Sequence, residues 1–394
     1  MAIAEDHDQR DKRFDVLIAG AGIAGLESAF ALRELLGDRV GLRLLAPNAE
    51  FVYRPLSIGE PFSRSHAEHY SLARLAAQAD AELVTDSLAE VDVERRVART
   101  VSGAELGYDA LIVAVGAGLE YPYEHATRFD DARSDELLHG LVQDIEAGYV
   151  GRLAIVIPAP MPWPLPAYEL ALMASERAWD SQISMDVTVL TSEAAPLAAF
   201  GELVSGELSA LLAERRIEVI TSAYCEIPRS KKIVVSPGGG CLEADRIVAF
   251  PRLEGPRVPG LPCDGGGFIP VDEYARVRRA DRVWAAGDAA DFPVKQGGIA
   301  AQLADTAARS IAVVAGGSFD ARTFAPVLEG VLMTGGRPRY LRGYPTFPGH
   351  PTFPRSREDS VFTAVAPGSA PPKIAARYLG PHLEANMSAA VSTD

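Results

Sequence analysis

The sequence predicts an α/β protein made of two Rossmann-like, three-layer domains, the first split by insertion of the second, with a C-terminal cap. Three observations carry that prediction. An apolar run at residues 14–19 passes through a glycine-rich turn into a helix-spaced segment. A second alternation of strands and helices begins at Arg152. Near residue 283 an apolar strand is followed by a long alanine-rich helix, the pattern of a chain returning to a sheet it had left.

Composition agrees. The chain has 394 residues, 48% hydrophobic and 23% charged, enough for a large core and, at about 150 residues per domain, for two or three domains. A net charge of -15 repels phosphate backbones and argues against nucleic-acid binding. Cys225, Cys241 and Cys263 have no C-x-x-C spacing and cannot all pair, so a reducing, cytoplasmic setting fits. Residues 1–13 carry charges of both signs and no apolar h-region, which reads as a flexible tail and not a secretory signal. The uncharged stretch after Arg152 contains Pro158, Pro160, Pro162, Pro164 and Pro166, so it cannot span a membrane as a helix. Membrane contact is expected to be peripheral at most. Seven scattered histidines show no metal-ligand spacing, so no metal is expected, and no hydrolase elbow occurs.

Taken in order, the first unit is expected to hold strands at residues 14–19 and 40–45, a helix at 23–36 ending at Gly37, a helix at 71–78, and strands at 82–84, 91–100 and 110–116. The second holds strands from residues 153, 185 and 217, helices at 167–178 and 204–216, and a hairpin through residues 236–241. Beyond residue 324 come a strand pair at 330–336 and 338–344, an irregular Pro/Phe stretch at 344–356 and a helix at 373–385. The apolar stripe of that helix, Ile374, Tyr378, Leu379 and Leu383, is expected to face a core and not a lipid surface.

The glycine turn reads Gly20-x-Gly22-x-x-Gly25 after a strand and at the start of a helix. The first glycine permits the turn, the second admits a pyrophosphate to the backbone, and the third lets the helix pack closely. Ile23 and Ala24 lie at the helix N-terminus, whose free N–H groups and dipole favour phosphate. The acid expected at the end of the second strand is missing: Ala46 stands there, leaving Asn48, Glu50 or backbone groups for the ribose. Arg43 reads as a solvated strand residue or a 2′-phosphate partner. A second motif, a strand ending at Gly287-Asp288, is followed by Lys295, Gln296, Gly297 and Gly298 at a helix start. An aspartate so placed can accept hydrogen bonds from the polyol of a long cofactor, and the paired motifs point to FAD. Lys295 reads either as a stabiliser of reduced flavin or as a solvated lysine.

These motifs, with the stretches at residues 51–56, 164–169 and 267–277 and the Ala114-Val-Gly116 turn, make the sequence resemble the FAD-dependent pyridine nucleotide-disulfide oxidoreductase-like superfamily. The resemblance is to its branch of sulfide:quinone oxidoreductases, flavocytochrome c sulfide dehydrogenases and type II NADH dehydrogenases. It covers most of residues 14–315 and implies a split FAD-binding domain at 14–118 and 251–325, a second domain at 119–250 and a cap at 326–394. It also implies FAD contacts from Arg54 and Pro55 beside the ring, and from Val84, Ala114 and Gly116.

Two departures shape the expected chemistry. Sulfide-oxidising relatives carry a redox cysteine in the loop after the strand at residue 153, where this chain has Pro162, Trp163 and Pro164. The same loop lacks a glycine fingerprint, and proline lacks the N–H that cradles pyrophosphate, so NAD(P)H binding is doubtful. The resemblance then implies an enzyme without a cysteine relay that passes electrons from an unidentified donor through flavin to a quinone-like or other small acceptor. The alternatives are a type II NADH dehydrogenase-like oxidoreductase and a flavin-bound regulatory protein without turnover. Trp163, Tyr168 and Glu169 are the candidate pocket and proton-transfer residues; in the other reading the aromatics pack between domains and Glu169 caps its helix.

Overall fold

The computed structural model describes residues 13–345, 360–366 and 373–391; the tail expected at residues 1–13, apart from Arg13, and nearly all of the Pro/Phe stretch lie outside them. Two parallel sheets organise the chain. The first grows from β1 (Phe14–Ala19), which leads through the glycine turn into α1 (Ile23–Leu36) and pairs in register with β2 (Val40–Leu45), Phe14 opposite Val40. After a small hairpin of β3 (Glu50–Tyr53) and β4 (Glu68–Ser71), α2 (Leu72–Gln78) leads to β5 (Ala81–Val84) on the outer side of β2.

Where one strand was expected at residues 91–100, the chain folds back on itself. β6 (Leu88–Asp92), β7 (Val97–Thr100) and β8 (Glu105–Gly107) form an antiparallel meander. The cause is a local turn: Asp92 Oδ1 accepts the Arg95 N–H at 2.9 Å and Arg96 takes φ +54°. The chain then rejoins the sheet at β9 (Ala110–Val113), buried along its whole length.

The second unit follows. β10 (Gly118–Glu120) leads to β11 (Thr127–Arg128), α3 (Ser134–Glu146), β12 (Arg152–Ile157), α4 (Leu165–Asp180), β13 (Asp186–Thr191), α5 (Glu202–Glu214) and β14 (Ile217–Ile220). An antiparallel meander of β15 (Tyr224–Arg229), β16 (Lys232–Ser236) and β17 (Gly240–Glu243) precedes β18 (Arg246–Ala249). The parallel order is β11-β18-β12-β13-β14. β19 (Arg252–Glu254) then pairs antiparallel with β10, so outgoing and returning chains cross as one ribbon.

Back in the first unit, β20 (Val283–Ala285) completes the order β20-β9-β1-β2-β5, and α6 (Gly297–Val314) packs along α1. The expected cap strands are β21 (Leu328–Leu332) and β22 (Arg339–Gly343), joined by β23 (Val361–Ala364). Leu328, Leu332 and Leu341 enter the core of the second unit, whereas Ile374, Tyr378, Leu379 and Leu383 enter that of the first, so the cap bridges both. The final helix, α7 (Leu379–Val391), begins later than the expected residue 373. Pro381 explains the shift: it has no N–H and is tolerated only in a first turn. Among the described residues no helix is long and apolar enough to cross a membrane.

Candidate active site

A cavity of about 700 Å³ opens at the C-terminal ends of β1, β2 and β9, between the two units and the cap. The glycine turn forms one end. Gly20 sits at φ +109°, and a Cβ there would stand 2.1 Å from the Ala114 carbonyl oxygen; a Cβ on Gly25 would stand 1.9 Å from the Gly20 carbonyl oxygen. Both positions therefore close the turn by backbone contact. Gly22 meets nothing within 4 Å and lines open cavity with Ile23 and Ala24. Gly116, at φ +77°, is likewise open on its cavity side.

Of the other expected cofactor residues, Ala46, Arg54, Pro55, Ala114, Gly287, Asp288, Gln296 and Gly297 line the cavity. Gly25, Val84 and Gly298 do not. Val84 supports the site from behind, its carbonyl accepting the Ala46 N–H at 3.0 Å. Gly298 gives room to Gln296, whose Oε1 caps α6 by accepting the Ile299 N–H at 2.9 Å. Near the missing ribose acid, Asn48 and Glu50 line the cavity, and Glu50 also meets His69 Nδ1 at 2.9 Å. Arg43 instead donates to the Gly107 carbonyl. Arg54 pairs with Asp131 at 3.3 Å, both half exposed.

Asp288 faces the cavity, and among the described residues its carboxylate accepts no hydrogen bond; burial raises its pKa, opposed by the Lys295 charge. Lys295 is a buried cavity residue, not a solvated one. Its Nζ donates to the carbonyls of Asp288 (3.2 Å) and Ala290 and lies 3.9 Å from the Phe268 ring centre. Burial brings its pKa down to about 8, against the pull of Asp288 and Asp291.

The opposite wall belongs to the second unit: Met161, Pro162 and Trp163 from the proline-rich loop and Leu165 at the start of α4, with Phe129 and Phe250 immediately after β11 and β18. Trp163 does two things, lining the cavity and packing on Phe200 with ring centres 5.6 Å apart. Glu169 is fully buried, lines the cavity and does not cap its helix. It accepts from Lys373 Nζ at 2.9 Å and from the Met333 N–H at 2.9 Å; burial raises its pKa while Lys373 lowers it.

Tyr168 corrects the sequence reading. Adjacent positions on a helix point about 100° apart, and this one points into the core of the second unit. It is fully buried outside the cavity, and its hydroxyl donates to Glu193 at 2.7 Å. Sequence reasoning also missed two contributors. Lys373 and Ile374 come from the cap, and Tyr53 Oη accepts the Ile374 N–H at 3.0 Å. Neither Lys373 nor Ile374 belongs to a motif, and both reach the cavity over more than 200 residues of sequence separation. Cys225, Cys241 and Cys263 all lie outside the cavity; Cys225 is half buried, its thiol pushed up to about 11 by burial.

Residues 166–310 match the pyridine nucleotide-disulphide oxidoreductase family. Over those residues the chain resembles this superfamily of FAD-dependent oxidoreductases. Curated relatives include the ferredoxin reductase component of a chlorobenzene dioxygenase from Cupriavidus sp. strain PS12. It is 26% identical over 302 residues, which are 72% of this chain and 68% of that protein. A sulfide-quinone reductase from Aquifex aeolicus is 25% identical over 263 residues, 62% of this chain, and the match spans 59% of the reductase. Among solved structures, the sulfide:quinone oxidoreductase of Aquifex aeolicus superposes with a TM-score of 0.78 at 20% identity, covering 90% of this chain and 87% of the other. A ferredoxin reductase from Rhodopseudomonas palustris gives 0.62 at 20% identity, covering 84% and 82%.

The cavity fits the superfamily's cofactor. Backbone at Gly22 and Gly116 is bare where a diphosphate would approach, and the Asp288 carboxylate is free to accept from hydroxyl groups.

Proposed function

We propose that this flavoprotein passes electrons from a small donor to a quinone-like or other small apolar acceptor without a cysteine relay. The observation that carries the reading is the second-unit wall of the cavity: aromatic, proline-stiffened, holding a buried Glu169–Lys373 pair and no cysteine. In this reading residues 14–118 and 251–325 form the FAD-binding domain, 119–250 the second domain and 326–394 the cap.

Gly20, Gly22, Gly25, Ile23 and Ala24 build the diphosphate turn, Ala46, Ala114 and Gly116 flank it, and Asp288 accepts from the polyol. FAD, when bound, supplies the two-electron carrier. Arg54, Pro55, Gln296 and Gly297 shape the pocket for the ring, and Lys295 places positive charge beside it. Trp163, Met161 and Phe250 exclude water and offer flat apolar surface to an acceptor. Glu169 and Lys373, in hydrogen-bond contact, can hold or hand over a proton at the same wall.

A nicotinamide nucleotide is a poor donor here. α4 starts at Leu165 with Pro164 at its N-cap and Pro166 in its first turn, so that helix end offers few N–H groups to a pyrophosphate.

The test is anaerobic: the purified flavoprotein is titrated with NADH, NADPH and sulfide separately while the 450 nm band is followed, and dithionite-reduced protein is then mixed with a short-chain quinone. Expected are silence towards both nicotinamides and rapid reoxidation by the quinone. Reduction by NADH within seconds, or no reoxidation by quinone, overturns the proposal.

A further inference from the structure

The strap that brings Lys373 and Ile374 to the cavity is held elsewhere, by a pair of carboxyl groups that the chemistry above does not use. Glu27 lies on α1, two residues after the last fingerprint glycine, and is fully buried. Its Oε1 accepts the Tyr378 N–H at 2.9 Å and its Oε2 the Leu379 N–H at 2.6 Å. A buried carboxylate from one helix thus caps the first turn of another, where the α7 dipole favours negative charge. On α6, Asp305 lines the same crevice as Glu27, and its Oδ1 is buried with no hydrogen-bond partner among the described residues.

Two neighbouring buried carboxyl groups cannot both be ionised at little cost, and a hydrogen bond between them requires one proton. Glu27 already accepts two backbone N–H groups, so the proton belongs on Asp305. We propose that Asp305 and Glu27 share one proton, and that this proton latches the strap of residues 373–379, with Lys373 and Ile374, against the cavity. Glu27 is thereby a positioning residue: it acts on the site only through the strap.

The charged surroundings are mixed. Arg309 of α6 and Arg377 of the strap face the pair, as do Tyr378 and Glu384 of the cap, with Glu329 and Arg342 of the cap sheet lining the same crevice. Glu34 of α1 acts on Tyr378, and His382 of α7 stacks on Phe30 with ring centres 3.9 Å apart. Burial and the Glu27 charge push Asp305 up to about 7, while the two arginines pull it down. The sign follows. A carboxyl raised in the folded state contributes stability at low pH that is lost as pH rises through its folded value, so the latch loosens above about 7.

The closing experiment is hydrogen exchange with mass spectrometry on the full-length flavoprotein between pH 6 and 9, reading peptides from residues 373–386 and correcting for intrinsic amide rates. Wild type is expected to lose protection there about tenfold per pH unit above about pH 7.5, the signature of one proton. Asp305→Asn, which keeps a donor to Glu27 without a titrating group, is expected to hold protection level across the range. Glu27→Gln, which replaces one acceptor with an NH₂ facing a backbone N–H, is expected to lose protection at every pH; if it does not accumulate, Asp305→Asn decides. A Lys295→Met control should keep the wild-type slope. Flat wild-type protection, or Asp305→Asn following the wild-type curve, overturns the latch. The consequence for Lys373 rests on the proposed acceptor site, but exchange is read without turnover, so a wrong acceptor leaves this test intact.

Discussion

The molecule contains two β-turn-α crevices of the same topology and opposite chemistry. β1 leads to α1 through bare backbone, with Gly22 meeting nothing within 4 Å. β12 leads to α4 through prolines and a tryptophan, and the same end of the sheet becomes an apolar wall. Parallel strands and a following helix therefore do not make a phosphate site. The loop decides, by whether it presents N–H groups or covers them. Both loops face one cavity, so the first unit holds a cofactor by its backbone while the second meets it with side chains.

The comparison can be broken most severely at Gly20. Gly20→Ala puts a Cβ 2.1 Å from a backbone carbonyl at a φ of +109°, and is expected to cost about 3 kcal/mol or more, seen as a large fall in Tm of both apo and flavin-loaded protein. Gly22→Val sharpens it. The open space and a φ of -79° leave apo stability within about 0.5 kcal/mol, while flavin content after purification drops more than about tenfold. A smaller effect is expected at Lys295, whose charge disappears as pH rises through about 8. Fluorescence titration of apo protein should show FAD binding weakening through that pH, and Lys295→Met should bind about tenfold more weakly below pH 8 with the pH step removed, about 1.4 kcal/mol. The smallest change belongs to the second crevice. Pro162→Gly restores one N–H but no fingerprint, so stopped-flow mixing with NADH should still leave the flavin oxidised; bleaching would mean that a single proline had closed a competent nucleotide site.

The same contrast explains what the sequence made legible. Strands β1, β2 and β12 and helices α1, α4 and α6 announce themselves by periodicity and punctuation, because each is decided by neighbours a few residues away. The cofactor end was legible for the same reason: Gly20, Gly22 and Gly25 act through local backbone. The opposite wall was not. Glu169 was found, but its partner Lys373 lies 204 residues on, and Ile374 reaches Tyr53 across 321. Tyr168 was misplaced because a one-residue step on α4 separates cavity from core. The meander at residues 88–107 was missed because an aspartate-anchored turn interrupted an otherwise strand-like run.

One contact gives the molecule an order in time. Ile374 Cδ1 lies 2.2 Å from where a Cβ on Gly297 would be, so the wall beside the start of α6 is finished by residues made after the strands of both parallel sheets. On the ribosome both sheets can form while that side of the crevice is still uncovered. Cofactor that enters the nascent chain meets an open groove, and the cap that arrives later closes behind it.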